Sequence, residues 1–111
     1  MGFFDIFTNN EAFSKIDADK AKELIEQGVT LVDVREVVEF NSGHINKAKN
    51  YPLGKLTSGK YAHKLDKDRP VIIYCQSGAR SRSACKYLSK EGYTEVYDLG
   101  GIMAWPFKLV R

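Results

Sequence analysis

The segment that most constrains the fold is a run of four large residues, Val71–Tyr74, which follows Pro70. Polar and apolar residues do not alternate in this run, so both of its faces are expected to be buried. Strands buried on both faces are typical of parallel sheets that are covered by helices above and below. A loop over Cys75–Ala79 and a helical pattern over residues 80–91 follow directly. The run therefore predicts the central strand of an α/β domain.

Strand-like and helix-like patterns alternate along the rest of the chain, as expected when helices connect parallel strands. The predicted strands are Phe13–Ile16, Thr30–Val34, Ala48–Tyr51, Pro70–Tyr74 and Glu95–Leu99. The predicted helices cover residues 18–27, 36–41 and 80–91, with short helical turns near Leu56 and Ala62 and a last short helix that carries Ile102 and Trp105. Gly100-Gly101 is expected to form the turn before that last helix. These patterns divide the chain into an N-terminal arm, residues 1–12, and one domain, residues 13–111.

The length and composition exclude several classes of protein. A chain of 111 residues can bury a core without a metal ion or a disulfide. A net charge of +3 without a dense basic stripe predicts no nucleic-acid partner. No run reaches the roughly 18 apolar residues of a membrane helix, and no signal peptide is recognisable, so we expect a cytoplasmic protein without a membrane partner. Two cysteines in a reducing compartment predict no disulfide, and their spacing from the two histidines predicts no zinc site and no cofactor.

Cys75 stands at the carboxyl end of the most buried strand, where open parallel sheets bind their ligands. The small residues Ser77, Gly78 and Ala79 allow successive N–H groups to turn inwards and form a cradle for an anion. The helix that begins here adds the positive end of its dipole. Arg80 adds a permanent charge and a two-pronged donor for an oxyanion.

The free energies of these interactions decide how many of the groups are needed to ionise Cys75. A free cysteine is only a few per cent thiolate at neutral pH. A helix N-terminus contributes about 0.3–1 kcal/mol, whereas a tenfold shift of the equilibrium requires about 1.4 kcal/mol. Several N–H donors together with Arg80 are therefore required to make Cys75 a largely ionised nucleophile. The alternative interpretation is a buried, inert cysteine at the end of a strand.

Four blocks of residues, in the expected order, resemble the rhodanese-like domain over about residues 14–105. The blocks are Leu31–Glu36 with Glu39-Phe40 and Gly43–Ile45, then Ala48–Leu53, then Tyr74–Ser81, and finally Leu99–Ile102 with Trp105. The resemblance implies a five-stranded parallel sheet of order 1-5-4-2-3, with helices on both faces.

The resemblance also implies a sulfurtransferase that moves sulfane sulfur through a persulfide on Cys75. A donor such as thiosulfate would supply the sulfur, and cyanide, a thiol or a protein cysteine would accept it. The persulfide would be held by the loop residues Gln76, Ser77, Gly78, Ala79, Arg80 and Ser81, with Arg80 orienting the donor oxyanion. Asp33 and Arg35, at the end of the second strand, would support the site.

Three alternatives remain open. Phosphatases and arsenate reductases of this fold have five residues between the cysteine and the arginine, whereas four separate Cys75 from Arg80, which favours sulfur over phosphate. A non-catalytic rhodanese-like docking or regulatory module would keep the fold without the chemistry. A relay protein would accept sulfur from one protein and deliver it to another, with weak activity towards free thiosulfate.

The remaining cysteine and the histidines have ordinary structural interpretations. Cys85 lies one helical turn after Ser81 and is expected to be a small core residue. Its alternative role is a resolving cysteine for an oxidised Cys75. His44 is expected to be a hydrogen-bonded turn residue, and His63 is expected to be exposed.

Overall fold

The strand Val71–Cys75 is the centre of the sheet, and every one of its residues is buried. The computed structural model describes residues 13–111. Its strands are β1 (Ser14–Lys15), β2 (Thr30–Asp33), β3 (Lys49–Asn50), β4 (Val71–Cys75) and β5 (Val96–Gly101). Its helices are α1 (Ala18–Glu26), α2 (Val37–Ser42), α3 (Leu53–Thr57), α4 (Ala79–Lys90) and a 3₁₀ helix (Ile102–Ala104). The predicted arm, residues 1–12, lies outside the described residues, and the domain boundary stays a prediction.

The five strands are all parallel and lie in the order β1-β5-β4-β2-β3. This is the predicted order 1-5-4-2-3, so the prediction of a parallel α/β sheet is confirmed. β4 lies between β5 and β2, which pair along its length. Parallel neighbours place their carboxyl ends at one edge of the sheet, so the residues after β2, β4 and β5 meet there.

Two apolar layers cover the sheet, and alternate residues of β4 contribute to each. Ile72 and Tyr74 lie in the layer that contains Ala21 and Ile25 of α1. Ile73 and Cys75 lie in the opposite layer. That opposite layer also contains Leu56 of α3 and the α4 residues Ala84, Cys85 and Leu88. Because each face of β4 packs against a helix, the unbroken apolar run seen in the sequence is explained.

Local chemistry fixes the ends of α1. The Asp17 side chain accepts a hydrogen bond of 2.8 Å from the N–H of Lys20, which satisfies a donor that the first turn leaves without a helical partner. Gly28, with φ of +99°, follows the helix in a conformation that favours glycine. In residues 13–111, no helix is long and apolar enough to cross a bilayer.

Several predicted boundaries were wrong. Cys75 is the last residue of β4, where it pairs with Gly101, rather than the first residue of the loop. Gly100-Gly101 continues β5 instead of forming a turn, because a bulge at Leu99 restores the pairing with β4. Trp105 follows the last helix rather than lying in it.

Two predicted strands are shorter than expected, and the helical turn predicted near Ala62 does not form. The strands Phe13–Ile16 and Ala48–Tyr51 are reduced to two-residue ladders at the two edges of the sheet. The segment around Ala62 forms hydrogen-bonded turns instead of a helix. Edge strands pair with a neighbour on one side only, so the local sequence pattern predicts the length of their ladders less well.

Candidate active site

Cys75 is held at the end of β4, directly before the loop that leads into α4. Its Sγ accepts hydrogen bonds from the N–H groups of Gly78, at 3.0 Å, and Ser81, at 3.3 Å. The cysteine has no exposed surface, whereas Ser77 and Ala79 of the loop are exposed. The sulfur therefore lies at the floor of a backbone cradle whose rim faces solvent.

Two glycines permit this loop geometry, for different reasons. Gly78 precedes α4 with φ of +108°, a conformation that costs other residues energy. Gly101 has an ordinary extended conformation, but a Cβ there would lie 2.7 Å from the Gln76 carbonyl oxygen and 3.1 Å from the Ser77 Cα. The end of β5 is therefore in direct contact with the backbone of the cysteine loop.

A buried carboxylate fixes the back of the loop. The Asp98 Oδ1 accepts a hydrogen bond of 2.8 Å from the Ser81 hydroxyl and one of 2.9 Å from the Gly100 N–H. Asp98 and Ser81 are both buried. Hydrogen bonds to a carboxylate are stronger than neutral ones, so Asp98 restrains both Ser81, whose N–H donates to the sulfur, and Gly100 of β5 beside the loop.

Asp33 and Arg35 form a buried ion pair that reaches the loop. The Arg35 Nη2 lies 2.8 Å from the Asp33 Oδ2, and the Nε also donates to that carboxylate. The remaining donors reach the Gly43 carbonyl, at 2.8 Å, and the Gln76 Oε1, at 3.1 Å. Burial disfavours the charged guanidinium, but the hydrogen bonds and charge of Asp33 outweigh it, so the pKa of Arg35 is raised. The pair joins the end of β2 to the cysteine loop.

Arg80 forms a two-pronged ion pair with Glu39 of α2. Its Nη1 donates to Oε1 at 2.7 Å and its Nη2 donates to Oε2 at 2.9 Å. About a third of each side chain is exposed, 33% for Arg80 and 30% for Glu39. The hydrogen bonds from Arg80 lower the pKa of Glu39 to about 2, and those to Glu39 raise the pKa of Arg80.

The structure brings together every residue that the sequence suggested for the site. Gln76, Ser77, Gly78, Ala79, Arg80 and Ser81 form the loop and the first turn of α4. Arg35 contacts the loop through Gln76, and Asp33, the last residue of β2, holds Arg35 in place. Sequence reasoning assigned no role to three residues that shape it: Glu39, Asp98 and Gly101. Asp98 could have been noticed because, like Asp33, it is an acidic residue near the end of an apolar strand.

The other singled-out residues behave as ordinary structural groups. Cys85 is fully buried in the apolar layer between the sheet and α4, which confirms its core position, and no disulfide joins it to Cys75. The His44 Nδ1 lies 2.8 Å from the Phe40 carbonyl oxygen, and the His44 ring stacks on the Phe40 ring. His63 is exposed. The exposure of His63 is confirmed. His44 is hydrogen-bonded as predicted, but it forms an antiparallel bridge with Val110 rather than a turn.

Comparison with known proteins gives consistent matches. Residues 17–107 match the family model of the Rhodanese-like domain. The thiosulfate sulfurtransferase GlpE of Pseudomonas savastanoi pv. phaseolicola is 36% identical over 94 residues, which cover 84% of this chain and 87% of that protein. The uncharacterized protein YqhL of Bacillus subtilis is 45% identical over 80 residues, 71% of this chain but only 62% of that protein, so the match spans less than two thirds of that relative.

A solved structure shares the architecture over nearly its whole length. It is the crystal structure of a rhodanese-related protein from Thermoplasma volcanium, with a TM-score of 0.76 and 31% identity. The superposition covers 87% of this chain and 97% of that chain.

Proposed function

Because this chain belongs to the rhodanese-like domain family, we propose that it is a sulfurtransferase that carries sulfane sulfur as a persulfide on Cys75. The observation that carries the proposal is the pair of N–H groups, from Gly78 and Ser81, that point at the sulfur. N–H donors stabilise a thiolate without offering a base that would compete for its proton. A thiolate, and not a thiol, is the nucleophile in sulfur chemistry.

The first half-reaction loads the cysteine. The Cys75 thiolate attacks the outer sulfur of thiosulfate, and a new S–S bond forms. The S–S bond of thiosulfate breaks, and sulfite leaves with the electron pair. Cys75 then carries one additional sulfur that bears the negative charge. The N–H groups of Ala79 and Arg80, which the first turn of α4 leaves without helical partners, are suited to stabilise that charge.

The second half-reaction returns the cysteine to its thiolate form. A nucleophile such as cyanide, a small thiol or a cysteine of a partner protein attacks the outer sulfur of the persulfide. The Cys75 thiolate leaves with the electron pair, and with cyanide the product is thiocyanate. The overall transfer requires no cofactor and no metal. Because the cysteine is fully buried at rest, we expect direct contact with the sulfur to be limited to small groups.

The structure also supports roles for the surrounding residues. Arg80, a cation in the first turn of α4 directly after the loop, is proposed to orient the oxyanion of the donor. The Asp33–Arg35 pair is proposed to hold the loop through Gln76. A reducing, cytoplasmic compartment would keep Cys75 available as a thiol.

Thiocyanate formation from thiosulfate and cyanide tests the proposal. We expect Cys75→Ser to abolish the activity and Arg80→Ala to act mainly by raising the apparent KM for thiosulfate. The Cys85→Ser variant, at a buried cysteine outside the loop, is the control for loss of a thiol. Equal rates in wild type and Cys75→Ser would favour a non-catalytic docking module instead. Turnover with a persulfidated partner protein but little with thiosulfate would favour the relay.

A further inference from the structure

We propose that Glu39 is a specificity-determining residue that occupies Arg80 and shifts the preference of the site towards sulfur donors with a single negative charge. The inference rests on the proposed sulfurtransferase function and concerns which donors that function uses. Glu39 lies on α2, far in the chain from the cysteine loop, and nothing in the loop sequence points to it.

The geometry engages the two-pronged end of Arg80 before any donor arrives. Both terminal nitrogens of the guanidinium donate to Glu39, at 2.7 and 2.9 Å. These are the nitrogens that would otherwise form the two-pronged contact with a sulfonate group. A donor that needs Arg80 must therefore compete with a carboxylate that is already in place.

Glu39 is itself held in position from its own helix. The N–H of Glu36 donates to Glu39 Oε1 at 2.9 Å, as part of the hydrogen-bonded cap at the start of α2. The carboxylate is therefore oriented towards Arg80 before any donor arrives. It remains ionised at all ordinary pH values, because the hydrogen bonds from Arg80 lower its pKa to about 2.

The charges beside the loop also disfavour a donor with two negative charges. Arg35 and Arg80 supply two positive charges beside the loop. Three carboxylates belong to the same electrostatic network, those of Asp33, Glu36 and Glu39. The carboxylates of this network outnumber its guanidinium groups, so the network opposes a dianion such as thiosulfate more than a monoanion.

The substitution Glu39→Gln is suited to test this idea because it removes the charge and little else. The amide oxygen of glutamine can still accept from the Glu36 N–H, so the cap of α2 is kept. The amide nitrogen, in place of Oε2, cannot accept from Arg80, so one arm of the guanidinium is released. The matched control is Glu23→Gln, which neutralises an exposed partner of Lys20 on α1.

Two donors that differ by one charge isolate the effect. Thiosulfate is a dianion, and methanethiosulfonate is a monoanion that transfers its outer sulfur in the same way and releases methanesulfinate. If the additional charge of thiosulfate binds about 6 Å from the Glu39 carboxylate, Coulomb's law at an effective dielectric constant between about 40 and 80 gives a change of about three- to tenfold in affinity. We expect Glu39→Gln to lower the ratio of the thiosulfate KM to the methanethiosulfonate KM by that factor.

The expected result is a change in this KM ratio with kcat retained within about twofold, which a merely structural role would not produce. Glu23→Gln should leave the ratio unchanged. In an Arg80→Ala background the effect of Glu39→Gln should be smaller, because Glu39 acts partly by occupying Arg80. An unchanged ratio in the single variant, or an equal effect in both backgrounds, would overturn the proposal.

A binding measurement separates this inference from the proposed function. Calorimetric titration of both donors into Cys75→Ser and into Cys75→Ser/Glu39→Gln reports the same preference without sulfur transfer. If wild type forms no thiocyanate but the binding ratio shifts as expected, the proposed function fails and the role of Glu39 stands. If wild type is active and neither ratio shifts, the role of Glu39 fails and the proposed function stands.

Discussion

The substitution Gly101→Ala tests how closely β5 supports the cysteine loop. The added Cβ would lie 2.7 Å from the Gln76 carbonyl oxygen and 3.2 Å from the Ser77 carbonyl carbon. Ordinary C···O contacts begin at about 3.3 Å, so the first distance is about 0.6 Å too short. Both neighbours are backbone atoms on the partner strand's loop, and neither can move away by a change of rotamer. Gly101 and the loop must therefore separate.

The expected cost is that of an overpacked site, about 2 kcal/mol in the free energy of unfolding. For a domain of this size, that cost lowers the Tm by about 8–16 °C. Because a misplacement of about 1 Å near a reacting group can reduce the rate about a hundredfold, kcat/KM should fall by a similar factor. Thermal unfolding by circular dichroism and thiocyanate formation measure the two effects.

Gly54→Ala is the matched control for this prediction. Gly54 lies in α3, and nothing comes within 4 Å of a Cβ built there. Alanine at this helical position should stabilise the protein by about 0.4–1 kcal/mol, since it restricts the unfolded chain. If Gly101→Ala unfolds within about 2 °C of wild type and keeps its activity, the loop is not held by β5 and the reasoning is wrong.

Three further predictions follow from the charged groups of the site. Arg35→Ala should lower the free energy of unfolding in urea by about 3–5 kcal/mol, because it leaves the buried Asp33 carboxylate without its partner. Lys22→Ala, in an exposed ion pair, should lower it by less than about 1 kcal/mol. Similar losses in the two variants would contradict the burial argument. The pKa of Glu39 is lowered from 4.5 to about 2, so its ion pair contributes fully above pH 4.5 and is lost as the pH falls towards 2. The difference in urea midpoint between wild type and Glu39→Gln should therefore be constant near neutrality and shrink over that acidic range, and a difference that persists at pH 2 would refute the assignment. Asp98→Ala should cost about 1–3 kcal/mol, because it leaves the Gly100 N–H without its acceptor and the Ser81 hydroxyl with the Gly78 carbonyl alone. It should also lower kcat, and full activity would show that the cysteine loop does not depend on Asp98.

Much of the fold follows from local patterns. The unbroken apolar run of β4 predicts a strand buried on both faces, and the small residues before Arg80 predict a backbone cradle that begins a helix. The predicted sheet order, which came from the resemblance to a family, is confirmed. The errors lie where tertiary pairing overrides local preference: Gly100-Gly101 reads as a turn but is paired with the end of β4 across a bulge.

The sequence by itself determined that Cys75 lies where the central strand meets a loop rich in backbone donors, because an unbroken apolar run and a run of small residues are local properties. Only the tertiary structure decided which charges face that loop. Glu39 meets Arg80 across 41 residues, and Asp98 meets Ser81 across 17. A sequence shows that a side chain is charged, but its partner depends on which helices and strands the sheet brings together. The need for glycine at position 101 is likewise invisible in the chain, because its φ is ordinary and the constraint is the approach of another backbone.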